Sequence, residues 1–130
     1  LGFTAEQWRR ENGRWSAEPD KYAPGLVPRG NSIAQLLHVL GYRCGIFGKW
    51  HLGFQPRFNP TRHGFHDYFG VLTGHADYYK HNYFDGTHVL REGDKEVKAK
   101  GYLTDLINQR AVHFINDNAH RPFFLYVPHL

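Results

Sequence analysis

Methionine is absent from this sequence, and cysteine occurs once, as Cys44. A lone cysteine excludes an internal disulfide, so the chain is not a small scaffold stapled by cross-links. It leaves the compartment open. No apolar run approaches the roughly 20 residues a membrane-spanning helix needs, so no span is expected. No basic segment followed by an apolar stretch opens the chain, and no signal peptide is visible. With Leu1 first and no methionine, an internal piece of a longer protein is expected. Repeats and low-complexity tracts are also missing.

What is present suits one core. The chain has 130 residues, 41% hydrophobic and 16% aromatic, enough apolar material for one domain and not two. At 22% charged residues it is too apolar for bulk disorder. The net charge of +4 is a mild basic lean, compatible with an anionic substrate or a polyanion. Arg9, Arg10 and Arg14 read as the solvated face of a helix, because no basic stripe continues them. No nucleic acid is expected as a partner.

Local signals outline an α/β chain. Thr4 and Gln7 match a capping box for a helix to about Asn12, ended by Gly13. Pro19, Pro24, Gly25, Pro28 and Gly30 predict a loop over 14–30. Ser32 and Gln35 form a second capping box. Ile33, Leu36, Leu37 and Leu40 follow at helical spacing, and Gly41 is the stop. Tyr42–Phe47 reads as a strand, 48–66 as irregular and Asp67–Leu72 as another strand. His88–Arg91 and Glu96–Lys98, around Gly93-Asp94, read as a hairpin. Thr104 is expected to cap a helix to about Asn118, with Ile107, Ala111, Phe114 and Ile115 on one face. Pro122–Val127 has the pattern of a strand buried on both faces. Two helix-to-strand units predict a mostly parallel sheet flanked by helices.

The chemistry concentrates at Gly48-Lys49-Trp50-His51-Leu52-Gly53, just past the strand's C-terminal end, where open α/β sheets place ligands. In an extended backbone Lys49 and His51 share one side and Trp50 takes the other. Lys49 supplies a fixed positive charge with three donors. His51 supplies a group that donates or carries a proton near neutral pH. Glycines at 45, 48 and 53 let backbone or an anion come close. The set suits a tetrahedral oxyanion, with Lys49 neutralising charge and His51 donating to an ester or leaving oxygen. Spacing alone favours a surface loop whose Trp50 packs under the sheet.

Gly41-Tyr42-Arg43-Cys44-Gly45-Ile46-Phe47-Gly48-Lys49-Trp50-His51-Leu52-Gly53 resembles the second signature of the sulfatase family, G-Y-x-T-x-x-x-G-K-W-H-L-G, with Cys44 at a position where a small hydroxyl residue is common. Pro28–Leu40 is similar to the family's preceding helix, and Pro60–Gly70 to its P-x-x-x-G-F-D-x-F-x-G stretch. Gly74–His81 resembles arylsulfatases of the N-acetylgalactosamine-4-sulfatase type. Gly101–Asp105 and Arg121–Tyr126 are similar to later family segments. The resemblance covers residues 24–130 and leaves 1–23 unmatched, all within a single catalytic domain.

The resemblance implies an alkaline-phosphatase-like α/β fold and hydrolysis of sulfate monoesters on a sulfated carbohydrate. It assigns Lys49 and His51 to sulfate contact and catalysis, and His75 to substrate binding. It implies Ca²⁺ and a formylglycine nucleophile, both from outside this stretch, and an exported protein: periplasmic, extracellular or lysosomal. The family's C/S-x-P-x-R motif is absent, and Ser16 and Ser32 lack its Pro and Arg. Cys44 is therefore expected to be a core thiol. Asp117-Asn118 imitates a calcium-ligand pair but reads as a helix terminus, so no metal ligand is assigned. His129 reads as a near miss for the family's histidine beyond this strand. His63, His66, His81 and His88 read as surface or loop residues with local hydrogen bonds. Tyr78 and Tyr79 read as packing of their loop rather than stacking on a sugar. Two other functions stay open: a phosphonate or phosphodiester hydrolase of the same superfamily, and a non-catalytic module holding sulfated polysaccharide through Lys49, Arg57, Arg62 and the tyrosines.

Overall fold

Strand β1 (Arg43–Lys49) organises the computed structural model, which describes residues 25–130. The expected Thr4–Asn12 helix, the arginines at 9, 10 and 14, and the loop up to 24 lie outside the described residues. Every residue of β1 from Cys44 to Gly48 is buried, because helices cover both faces. Period-two alternation sends Cys44 and Ile46 to one face, with Trp50, Phe65, Tyr68 and helix α1 (Ile33–Val39). It sends Phe47 to the other, with helix α2 (Leu103–Asn118) through Ile107, Ala111 and Phe114. Gly45 leaves the space that the Phe114 ring fills.

The remaining strands are β2 (Asp67–Val71), β3 (Leu90–Glu92), β4 (Lys95–Glu96) and β5 (Phe123–Tyr126), in the order β4-β3-β2-β1-β5. Strands β2 and β5 run parallel to β1. Strand β3 is antiparallel to β2 and β4 to β3, so β3 alone runs against the other four strands, and the sheet is mostly parallel with the expected hairpin at its edge. The tight turn at Gly93-Asp94 permits only antiparallel pairing within the β3–β4 hairpin. The hairpin is shifted and shorter than expected, while β1 runs two residues further, to Lys49.

Three expectations need correction. The capping box of α1 is present in both halves, yet Ile33, Leu36 and Leu40 are exposed and Ala34 is the buried residue. The Cys44 Sγ lies 3.5 Å from the Ala34 carbonyl, so the helix backbone approaches β1 closely and only a methyl fits between. In α2 the cap is Tyr102, not Thr104, and it makes no side-chain bond; Ile115 faces out and Leu103 is buried instead. Strand β5 pairs with β1 alone among the described residues, and its side chains are half-buried or exposed. It is an edge strand here, not one buried on both faces.

Two 3₁₀ turns, Pro56–Phe58 and Pro60–His63, carry the chain from β1 to β2, each opened by a proline. They seal the α1 face. The Trp50 Nε1 donates to the Phe58 carbonyl at 2.8 Å, and its ring packs 5.1 Å from His63 and 6.5 Å from Phe65. His63 is buried, not a surface residue, and its Nε2 has no partner. The His66 Nδ1 accepts the Cys44 N–H at 3.0 Å, which requires an unprotonated nitrogen there.

Burial holds the pKa values of His63 and His66 below the ordinary 6.5. Below that value the unfolded chain binds more protons than the folded one, so their contribution is present above pH 6.5 and is lost as pH falls. The thermal midpoint should therefore drop between about pH 7.5 and about pH 5. His63→Gln should flatten that drop. A midpoint that stays level in the unsubstituted protein counts against this account.

Candidate active site at the end of β1

Lys49 is the last residue of β1, at the C-terminal edge of the sheet. Its backbone N–H donates to the Pro128 carbonyl at 2.8 Å, which extends the β1–β5 pairing past Tyr126. On the other side Lys49 is in register with Val71 of β2. The side chain is half-buried, and among the described residues no carboxylate pairs with it. Gly48 makes this placement possible. Its φ of 136° lies outside the range of ordinary side chains, and a Cβ there would strike the Pro128 carbonyl.

Alternation holds for Lys49 and Trp50, and then fails. Trp50 enters the α1-side core, but His51 adopts a left-handed conformation at φ 56°. That conformation costs a non-glycine residue of order 1–3 kcal/mol and persists only where its surroundings enforce it. The enforcement is visible. The Trp50 N–H donates to the Val71 carbonyl at 2.9 Å and the His51 N–H to the Leu72 carbonyl at 3.1 Å. The turn, not strand alternation, brings the His51 ring close to Lys49. Burial lowers the His51 pKa first, and the Lys49 charge lowers it further. The imidazole is thus biased toward its neutral form beside a fixed cation.

His75 is exposed and lies one residue beyond Gly74, on which the His51 ring sits. Its ring stacks on Phe84 at 4.3 Å with 8° between planes. The buried Thr73 hydroxyl donates to the His75 carbonyl at 2.6 Å and fixes the turn. The Asp77 carboxylate accepts the N–H groups of Lys80 and Tyr79, which hold its pKa down and order the next turn. Thr73 and Phe84 escaped the sequence reading, and Gly74 entered it only as the first residue of the Gly74–His81 stretch.

Other singled-out residues lie elsewhere. Cys44 is a buried free thiol whose pKa is raised by burial. His81 is buried, with Nε2 3.1 Å from the Gly101 carbonyl, and His88 bridges Asn82 and Val97; both brace the loop. Tyr78 and Tyr79 both pack on Tyr102, at 5.4 and 5.5 Å, and Tyr79 is also exposed. Arg62 pairs with Asp94 beside the start of β2, remote from Lys49, and the Arg57 guanidinium lies over the Phe58 ring. His129 is exposed, just beyond Pro128 on the same edge as Lys49. A cavity of about 770 Å³ opens at the other end of the sheet, where Arg43 pairs with Asp67 and Arg110 with Glu92.

The profile of the sulfatase family matches residues 10–129 of the chain. This chain belongs to the sulfatase family. Human N-acetylgalactosamine-6-sulfatase is 34% identical over 122 residues, covering 83% of this chain and 23% of the relative. The crystal structure of Ps i-CgsB superposes with a TM-score of 0.65 at 30% identity, covering 79% of this chain and 29% of that one. The structure of BT4656 in complex with its substrate D-glucosamine-2-N,6-O-disulfate gives 0.59 at 27% identity, covering 92% of this chain and 21% of that one. The fold is the alkaline-phosphatase-like one. The chain spans about a quarter of the length of the curated relative.

The described residues of this sulfatase stretch do not fit a calcium ion. No three His, Cys, Asp or Glu side chains gather among them. Asn118, the tempting candidate, is committed to the Phe114 carbonyl at 2.7 Å and to Arg121 at 2.8 Å, and Asp117 lies 3.1 Å from His113. Both residues terminate α2, at the sheet end opposite Lys49.

Because the Lys49 charge depresses the His51 pKa, Lys49→Ala should raise it toward 6.5. An NMR titration of the His51 ring checks this. An unchanged or lower value in the variant would show that the two groups do not interact.

Proposed function

We propose that the full-length protein hydrolyses sulfate monoesters, with a sulfated carbohydrate as substrate. The observation that carries this is a half-buried lysine with no described counter-charge beside a histidine held in a strained conformation. Unpaired partly buried charge is costly, and an incoming oxyanion offsets that cost. The relatives' own names support the bond and the substrate class: a sulfatase of N-acetylgalactosamine and a complex with a sulfated glucosamine.

Lys49 Nζ donates to a sulfate oxygen and neutralises its charge as the S–O bond breaks. His51 donates from a ring nitrogen to the ester oxygen that leaves as the alcohol. The bound sulfate also counters the Lys49 effect on His51 and favours its proton-carrying form. His75, on its Phe84 support, contacts the sugar. The formylglycine nucleophile and Ca²⁺ belong to parts of the protein outside this stretch, within the same catalytic domain.

The charge pattern disfavours the polysaccharide-binding module, since Arg62 is bound to Asp94 away from Lys49. Phosphodiester hydrolysis is distinguished by substrate: aryl sulfate should turn over and a bis-aryl phosphate should not.

In the full-length enzyme, Lys49→Ala and His51→Ala should each lower kcat/KM by about 10²–10³, or roughly 2.7–4 kcal/mol, with the fold intact. Trp50→Ala should instead act through stability, costing roughly 3–5 kcal/mol in chemical denaturation. Near-normal rates for the first two variants would remove the catalytic assignment. For His75→Ala, KM should rise for a sulfated sugar and stay level for a small aryl sulfate. Equal effects on both substrates would argue against sugar contact.

A further inference from the structure

We propose that Gly74 is a positioning residue for His51, a bare stretch of backbone that seats its imidazole. A methyl group built on Gly74 would lie 2.5 Å from Cε1, 2.6 Å from Nε2 and 2.8 Å from Nδ1 of His51. Contacts that short do not occur between real side chains, so the nitrogen-bearing half of the ring occupies the space a Cβ would need. The backbone gives no other reason for glycine here. Gly74 is not among the positive-φ glycines, so no left-handed backbone calls for glycine there. The three nearest atoms all belong to His51.

The seat itself is rigid. Thr73 is fully buried and its hydroxyl holds the His75 carbonyl at 2.6 Å, so the turn carrying Gly74 cannot readily retreat. The His51 backbone is tied to Leu72 in the same segment at 3.1 Å. Main chain and ring of His51 are therefore both referenced to residues 72–74. A methyl at 74 would push the ring off its line while leaving the strand pairing of β1 and β2 untouched. This inference rests on the catalytic reading of His51. It adds that the ring's aim is set by the absence of a side chain at position 74.

The test is a double-mutant cycle in the full-length enzyme with an aryl sulfate. Gly74→Ala should lower kcat by about 10²-fold, the scale for a reacting group displaced by about 1 Å, with KM little changed. Adding Gly74→Ala to His51→Ala should cost nothing further, because the ring it disturbs is gone. If Gly74→Ala folds poorly, His51→Ala in the same chain should restore the thermal transition. Full activity in Gly74→Ala, an equal extra loss in the double variant, or a double variant that stays unfolded would each overturn the proposal. A fully active His51→Ala would overturn the catalytic reading itself, a separate outcome.

Discussion

Close backbone contact at Gly48 is the constraint on which the site depends. Strand β1 is wedged between β2 and β5, and at Gly48 the Pro128 carbonyl comes where a Cβ would stand. No side chain other than hydrogen lets β5 stay in register long enough to accept the Lys49 N–H. Remove that fit and Lys49 would no longer end a strand held on both sides. Rigid placement matters because a charge stabilises a developing anion only if it need not reorganise to do so.

The electrostatics follow from which charges find partners. Where β1 and β2 begin, Arg43 forks onto Asp67 at 2.8 and 2.9 Å, and Arg110 reaches Glu92, the last residue of β3. At the C-terminal end, Lys49 stands beside a histidine whose pKa its charge lowers. The same sheet thus carries a neutralised edge and a positive one. Among the described residues, Lys49 at that edge has no carboxylate partner for an anion to replace. The strained φ of His51 belongs with this picture, since backbone strain persists where neighbouring structure over-determines it.

Much of the fold was legible because local rules governed it. The Ser32–Gln35 box caps α1 as written, since both of its bonds are made within four residues. The glycine-rich G-K-W-H-L-G run marked the end of β1, and the structure brings Lys49 and His51 near each other there. Cys44 sits in the core and Asn118 at a helix end, as their contexts implied. The buried face of α1 was not legible. Its periodicity marked Ile33, Leu36 and Leu40, but the close approach of β1 selected Ala34.

The sequence by itself determined the residue types at the end of β1: a lysine and a histidine framed by glycines, in a pattern specific to one family. Those choices are chemical, and a linear motif carries them in full. Tertiary structure alone decided how they are aimed. Extended alternation would have placed the His51 ring by simple register with Lys49. Instead a left-handed turn, two hydrogen bonds to the end of β2 and the bare backbone of Gly74 fix it. Those partners come from the end of β2 and the turn after it, more than twenty residues away, and only folding brings them beside it.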